Sequence, residues 1–320
     1  MVNPNALIIE QLKNLYTEIA EVKRLLQKFG HDISPDSAMN KRDELGIAQE
    51  KTSYLNTISF DTVKNIILSP TYPQAVNTDG ILDPTNDDDK LDRGDAILEG
   101  LIPENIVGKK FLDFGCGEGF CTLAAARKGT ILSVGYDKIP YDHTWKKMNF
   151  PNRFFCTSNW QQVQSSGPYD YILIYDVIDH IHDNSQASAL NYCSSVLAKD
   201  GKIFVRCHPY YGRAGAHQIY DLNKAFVHVV LTDDELRSLV PNPKHIHAGS
   251  KWIEPEKKYE EFFAKARLKI VSKNVTRDIV EDFFKTNESI SERIIQNTKS
   301  TQFPESTLSI NFVDYVLERA

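Results

Sequence analysis

The sequence predicts an α/β protein: a doubly wound, mainly parallel sheet of seven strands ending in an antiparallel pair, preceded by an amino-terminal coiled-coil helix and a connector. Three observations predict it. From about Asp92 onward, short apolar runs alternate with segments of helical period, the pattern of strands covered on both faces by helices. Within that region, Lys110-Phe111-Leu112-Asp113-Phe114-Gly115-Cys116-Gly117-Glu118-Gly119-Phe120 reads as a buried strand entering a glycine turn and then a helix. Near the start, Ile8, Leu12, Leu15, Ile19, Val22, Leu26 and Phe29 recur at four-three spacing, the seam of a coiled coil.

Residues 1–30 therefore form the expected oligomerisation helix, ended at Phe29-Gly30. Three heptads alone are marginal, and the mixed seam selects neither two strands nor three. Residues 31–91 are expected as a connector, with short helices over 43–51 and 61–68. Ser69-Pro70-Thr71-Tyr72-Pro73 and Asn86-Asp87-Asp88-Asp89 read as turn-rich stretches. The acidic run lacks the glycine and distal glutamate of an EF-hand loop, so it reads as solvated loop.

The third unit, 92–320, opens with a helix carrying Ile97, Leu98 and Leu101. Strands are expected over 110–114, 131–136, 153–157, 169–175 and 202–207, with helices over 120–128, 141–148 and 185–198. Two further strands, over 268–275 and 307–317, flank a helical or irregular segment and would pair antiparallel. Between the fifth strand and this tail lies an expected substrate loop, about 208–250, in which Thr232-Asp233-Asp234-Glu235 is a capping box.

Composition narrows the function. The 320 residues are 41% hydrophobic and 25% charged, which is globular rather than disordered. The formal net charge of -6 gives no global attraction to a phosphate backbone, so nucleic acid is not the expected main partner. Five cysteines without metal-ligand spacing, and a start lacking a basic and then apolar leader, suggest a reducing cytoplasm. The apolar runs are too short to span a bilayer, and no membrane partner is expected.

The chemistry centres on the glycine turn. Gly115, Gly117 and Gly119 remove the Cβ atoms that would keep a ligand from the backbone, and they permit the positive φ of a tight turn. Asp137, ending the second strand, offers carboxylate oxygens suited to both hydroxyls of a ribose. A dinucleotide enzyme would use the same device, but the glycines lack the G-x-G-x-x-G form.

Over roughly 92–320 these residues resemble the class I S-adenosylmethionine-dependent methyltransferases. The glycine stretch is similar to that family's first motif, and Tyr175-Asp176-Val177-Ile178-Asp179-His180-Ile181 is similar to the Asp-Val-Leu-Glu-His type of motif in members acting on small molecules and sugars. The resemblance implies S-adenosylmethionine as cofactor, held by Asp113, Gly115, Cys116, Gly117, Gly119, Asp137, Asp176 and Val177, with Ser158 or Asn159 meeting the adenine.

The reaction needs reactants held in line and, for an alcohol acceptor, a base. His208 at the end of the fifth strand is the first candidate base, with His180 and His217 behind it and Asp179 as an orienting carboxylate. No metal site is expected, since spacing alone does not bring His208, His217 and Asp179 or Asp176 together. The segment after the fourth strand is not the Asn/Asp-Pro-Pro-Tyr/Phe of adenine methylation, no Pro-Cys nucleophile occurs, and no lysine follows the fifth strand in Arg206-Cys207-His208-Pro209. The expectation is methyl transfer to a hydroxyl of a small molecule or glycan by a homo-oligomer. A structural component of a larger assembly and a nucleic-acid methyltransferase stand as alternatives.

Overall fold

The computed structural model describes residues 58–76, 86–148, 153–181, 185–244, 251, 254–278, 281–298 and 305–320. The coiled-coil helix expected over 1–30 and the connector as far as residue 57 lie outside the described residues. Residues from Thr57 onward form one compact unit.

Its centre is a sheet of β1 (Lys110–Phe114), β2 (Leu132–Tyr136), β3 (Phe154–Thr157), β4 (Tyr169–Tyr175), β5 (Leu197–Cys207), β6 (Leu268–Arg277) and β7 (Ile310–Arg319). The order is β3-β2-β1-β4-β5-β7-β6. The first five strands are parallel, and β7 runs antiparallel between β5 and β6. Strand order reverses between β1 and β4, and at such a switch point the loops beyond the carboxyl ends diverge and leave a crevice.

The helices are α1 (Phe60–Ile67), α2 (Asp87–Leu101), α3 (Phe120–Arg127), α4 (Asp142–Trp145), α5 (Trp160–Ser166) and α6 (Gln186–Val196). They continue with α7 (Val227–Val230), α8 (Asp233–Leu239), α9 (Pro255–Lys265), α10 (Glu281–Thr286), α11 (Glu288–Thr298) and α12 (Glu305–Leu308). Side chains alternate across the sheet, so β1, β4 and β5 each feed two cores. Phe111, Leu173 and Phe204 pack with Leu98 of α2 and Ala124 of α3. Leu112, Ile172, Ile174 and Val205 pack with Leu190 of α6 and Phe263 of α9 on the other side. Covered on both faces, the central strands have no polar side, which is why they read as continuous apolar runs. Between β5 and β7, Arg206 faces Asp314 and grips it with two hydrogen bonds of 2.7 Å, while its guanidinium lies 3.8 Å from the ring centre of Phe312.

A third apolar cluster caps the carboxyl ends of the strands. Val63 and Ile67 of α1, Tyr210, Tyr211, Phe226, Leu236 of α8 and Ile290 and Ile294 of α11 are buried together. Arg293, only 6% exposed, ties it: it donates to the Val230 carbonyl at 3.3 Å and the Ile58 carbonyl at 3.2 Å, and pairs with Glu235. The capping box at Thr232 and Glu235 opens α8 as expected.

Several boundaries differ from the sequence reading. The acidic run is not loop but the first turn of α2: Asn86 caps it by accepting from the Asp89 amide at 2.8 Å, and Asp87, Asp88 and Asp89 sit where the helix dipole favours negative charge. The expected helix over 141–148 is reduced to α4. The helix over 185–198 ends at Val196, and β5 begins at Leu197 rather than at residue 202, because Leu197 already pairs with Tyr169. The helices α5, α7 and α9 were not read from the sequence; α7 has four residues, and α5 has seven with a single buried position, Val163.

Candidate active site

The glycine turn joins β1 to α3 with Gly115, Gly117 and Gly119 at φ of +83°, +50° and +91°. Space demands two of them: a Cβ on Gly115 would come within 2.3 Å of Val177 Cγ2, and one on Gly119 within 2.7 Å of Cys156 Sγ. Gly117 differs. A Cβ there would meet nothing within 4 Å, because this residue faces open cavity, so it forms a cradle that a side chain would fill. Asp137, at the end of β2, accepts from the Gly117 amide at 2.9 Å and from the Ile139 amide at 2.9 Å, and so holds the turn in shape. The Trp145 indole donates to the Gly117 carbonyl at 3.0 Å from the other side.

The cavity beside the turn measures about 450 Å³, within the usual range of small-ligand sites of about 300–1,000 Å³. Asp113, Gly115, Cys116, Gly117, Glu118 and Gly119 line one side of it; Lys90, Arg93, Gly94 and Ile97 of α2 line another. Asp113 is 3% exposed and accepts from the Thr122 hydroxyl at 2.8 Å. Burial, opposed by that hydrogen bond and reinforced by Asp137, pushes its pKa up to about 7. Lys90 and Glu118 pair at 2.6 Å across the rim.

A second cavity of about 220 Å³ adjoins the first, and Arg93, Tyr175 and Asp176 line both. Its other walls include Asp179, His180, His208, Tyr210, His217 and Tyr220. Asp176 follows β4 at φ +56°, a left-handed conformation that a non-glycine residue seldom adopts. Burial alone would raise the Asp176 pKa, but His180, His208 and His217 outweigh it and hold the carboxyl below the usual range. Asp179 beneath it is raised to about 8 by burial and by the charge of Asp176. Burial also lowers the pKa of His208, which favours a neutral imidazole with Tyr175 and Phe312 beside it. For His180, burial lowers the pKa, yet Asp176 and Asp179 leave it raised overall.

The predicted residues thus fall into four groups. Asp113, Gly115, Cys116, Gly117, Gly119 and Asp176 line the first cavity; Asp176, Asp179, His180, His208 and His217 line the second. Val177 and Asp137 buttress the glycine turn from behind. Ser158 and Asn159 are exposed and line neither cavity, and the Asn159 side chain caps α5 by accepting from the Gln161 amide at 2.9 Å. Sequence reasoning missed the α2 wall, Tyr175 and Trp145. One signal was present for α2: Gly94 stands inside a helix, and a Cβ there would come within 3.0 Å of the Phe120 carbonyl oxygen, so the helix passes directly over the start of α3. His180 and His217 come together with Asp176 in one group whose ligand atoms all lie within 4.8 Å of one another, a convergence that spacing did not establish.

Comparison with known proteins agrees with this geometry. The methyltransferase-domain family matches residues 90–267, more than half of the chain. The chain is similar to the ubiquinone biosynthesis O-methyltransferase of Vibrio parahaemolyticus, 23% identical over 163 residues that make up 48% of this chain and 60% of that relative. The enzyme of the same name from Rickettsia felis is 26% identical over 154 residues, 47% of this chain and 57% of its own length. The match therefore spans about 60% of the length of these curated relatives. Among solved structures, an S-adenosylmethionine-dependent methyltransferase from Archaeoglobus fulgidus is 14% identical, covers 72% of this chain and 94% of its own, and has a TM-score of 0.43. A match over most of the glycine-turn domain, on a sheet of this strand order with its ligand cradle at the switch point, places the chain in the methyltransferase-domain family, as a class I S-adenosylmethionine-dependent member.

Proposed function

We propose that this protein transfers a methyl group from S-adenosylmethionine to a hydroxyl oxygen of a small molecule or glycan. The observation that carries the reading is the shared wall of the two cavities: a ligand cradled on the glycine turn and an acceptor among the histidines would meet at Tyr175 and Asp176. S-adenosylmethionine, when bound, supplies a methyl activated by a sulfonium. The open face of Gly117 receives its methionyl part, and the acidic Asp113 side offsets its positive charge. Asp137, fixed by the Gly117 and Ile139 amides, holds the turn in the shape that receives the ligand. His208, kept neutral by burial, accepts the acceptor's hydroxyl proton on a ring nitrogen as the new bond forms. Asp179 and Asp176 orient His180 beside it. The names of the similar curated proteins, O-methyltransferases, support oxygen as the acceptor atom.

Calorimetric titration of the full chain with S-adenosylmethionine and S-adenosylhomocysteine tests the reading, followed by methyl-transfer assays on phenols, catechols, glycosides and oligonucleotides. Binding of both cofactor forms is expected, with transfer to a hydroxyl compound. Silence with both would defeat the proposal, and salt-sensitive transfer to an oligonucleotide would replace it. Asp113→Ala should abolish the binding heat, whereas His208→Ala should spare it and reduce turnover.

A further inference from the structure

We propose that Asp176, His180 and His217 form a site for a divalent transition-metal ion at the acceptor end of the active site. The three residues come from two separate segments, the turn after β4 and the loop after β5. They converge through one ligand atom each, all within 4.8 Å of one another. The two imidazoles meet by the same atom: His217 Nε2 lies 3.0 Å from His180 Nε2, and the ring centres are 4.7 Å apart. Without a cation, one of these nitrogens must carry the proton and the other accept it. With a cation both can accept the same partner.

Asp176 Oδ1 is the second observation. It is shielded from solvent, has no hydrogen-bond partner among the described residues, and lies 3.6 Å from His180 Nε2. That imidazole is the positive neighbour of this oxygen when protonated, and a bound cation would take over the role while leaving His180 neutral as a ligand. Donors about 2.0–2.2 Å from a tetrahedral ion are roughly 3.3–3.6 Å from each other; the two separations from His180 Nε2, 3.0 Å and 3.6 Å, are close to that range, and the whole group lies within 4.8 Å, so the Asp176–His217 pair closes up as the ion enters. His217 is positioned from behind by Tyr220, whose ring stacks at an interplanar angle of 8°.

The donor set selects the metal. Two imidazole nitrogens and one carboxylate suit zinc, manganese, iron, cobalt or nickel better than calcium or magnesium, which favour oxygen. Three protein ligands leave coordination positions open, the arrangement of sites that bind a substrate. Those positions open onto the second cavity beside His208, which is outside the group. Resting on the methyl-transfer reading, the ion would take the acceptor hydroxyl as a further ligand, lower its pKa and leave His208 to receive the proton.

The test uses the full chain, stripped with a chelator and titrated with cobalt(II) by visible absorption and with zinc(II) by calorimetry. One equivalent is expected to bind, with the intense visible bands of low-coordinate cobalt. His217→Ala and His180→Ala should each weaken binding by about 100-fold or more, beyond the 10–100-fold typical of losing a supporting partner of a ligand. His217→Gln, which keeps a polar side chain of similar reach, should weaken it too, with near-ultraviolet circular dichroism showing that the fold is intact. Absence of stoichiometric binding, or equal affinity in the wild type and all three variants, overturns the site. S-adenosylmethionine binding by the stripped protein separates the two readings: cobalt binding without cofactor binding keeps the metal site and defeats methyl transfer, and the reverse defeats the metal site alone.

Discussion

Asp113 is where fold and ligand make opposing demands, and replacing it separates them. Its carboxyl is buried at the end of β1 with a pKa of about 7 against an ordinary 3.8. An acid whose folded pKa is raised binds its proton more tightly in the native state, so unfolding stability falls as pH rises from the unfolded value and levels off above the folded one. The full span, at about 1.36 kcal/mol per unit, amounts to roughly 4 kcal/mol. Between pH 5 and pH 8 the portion lost is about 2–3 kcal/mol. Asp113→Asn keeps an oxygen for the Thr122 hydroxyl and cannot ionise, so it should lose this pH dependence. Urea unfolding of both proteins at pH 5 and pH 8 reads it: the variant should gain on the wild type by about 2–3 kcal/mol at the higher pH, while its affinity for S-adenosylmethionine falls. Asp179 titrates in both proteins alike and cancels in the comparison. Identical pH profiles, or a variant that binds the cofactor as tightly as wild type, would refute the idea that this carboxylate is held buried for a positively charged ligand.

Other perturbations follow from single contacts. His228 is 5% exposed, held neutral by a pKa lowered to about 3 through burial, and neither ring nitrogen has a hydrogen-bond partner among the described residues. His228→Leu should therefore stabilise the protein by about 1 kcal/mol in urea, and a loss of stability would show that the imidazole is satisfied after all. Arg293→Ala leaves Glu235 uncompensated in the cap and should cost about 3–5 kcal/mol; a cost below about 1 kcal/mol would count against the hub. Gly119→Ala combines left-handed backbone with a 2.7 Å approach to Cys156 Sγ, so a loss of about 1–3 kcal/mol and of cofactor binding is expected. For the acceptor step, kcat should fall on the acid side with a midpoint below the ordinary histidine value of 6.5, as His208 takes up its proton. His208→Ala should lower kcat by about 100- to 10,000-fold and remove that limb, and an unchanged kcat would exclude it as the base.

The frame and the glycine turn are legible in the sequence alone. Alternating apolar runs identify a sheet covered on both faces, and glycines at 115, 117 and 119 can be read because a positive φ excludes most other residues without reference to distant parts of the chain. Burial periodicity is likewise local, so β1 and β4 fall where the sequence puts them. The acidic run of α2 was misread because a helix cap and a polar loop use the same residues, and only packing of Leu91 and Leu98 on the sheet decides between them.

The histidine-lined cavity is legible only in the tertiary structure. His180 and His217 are 37 residues apart, and nothing in that spacing reports that two loops at neighbouring strand ends fold their rings together. Asn159, expected at an adenine contact, also caps α5 by accepting from the Gln161 amide, a use that its spacing does not reveal. Arg93 joins both cavities only because Gly94 lets α2 pass close over α3. The physical reason is the range of the interactions. Backbone conformation and burial period are set by neighbours in sequence, whereas a site that surrounds a ligand is assembled from strand ends whose separation along the chain carries no record of their distance in space.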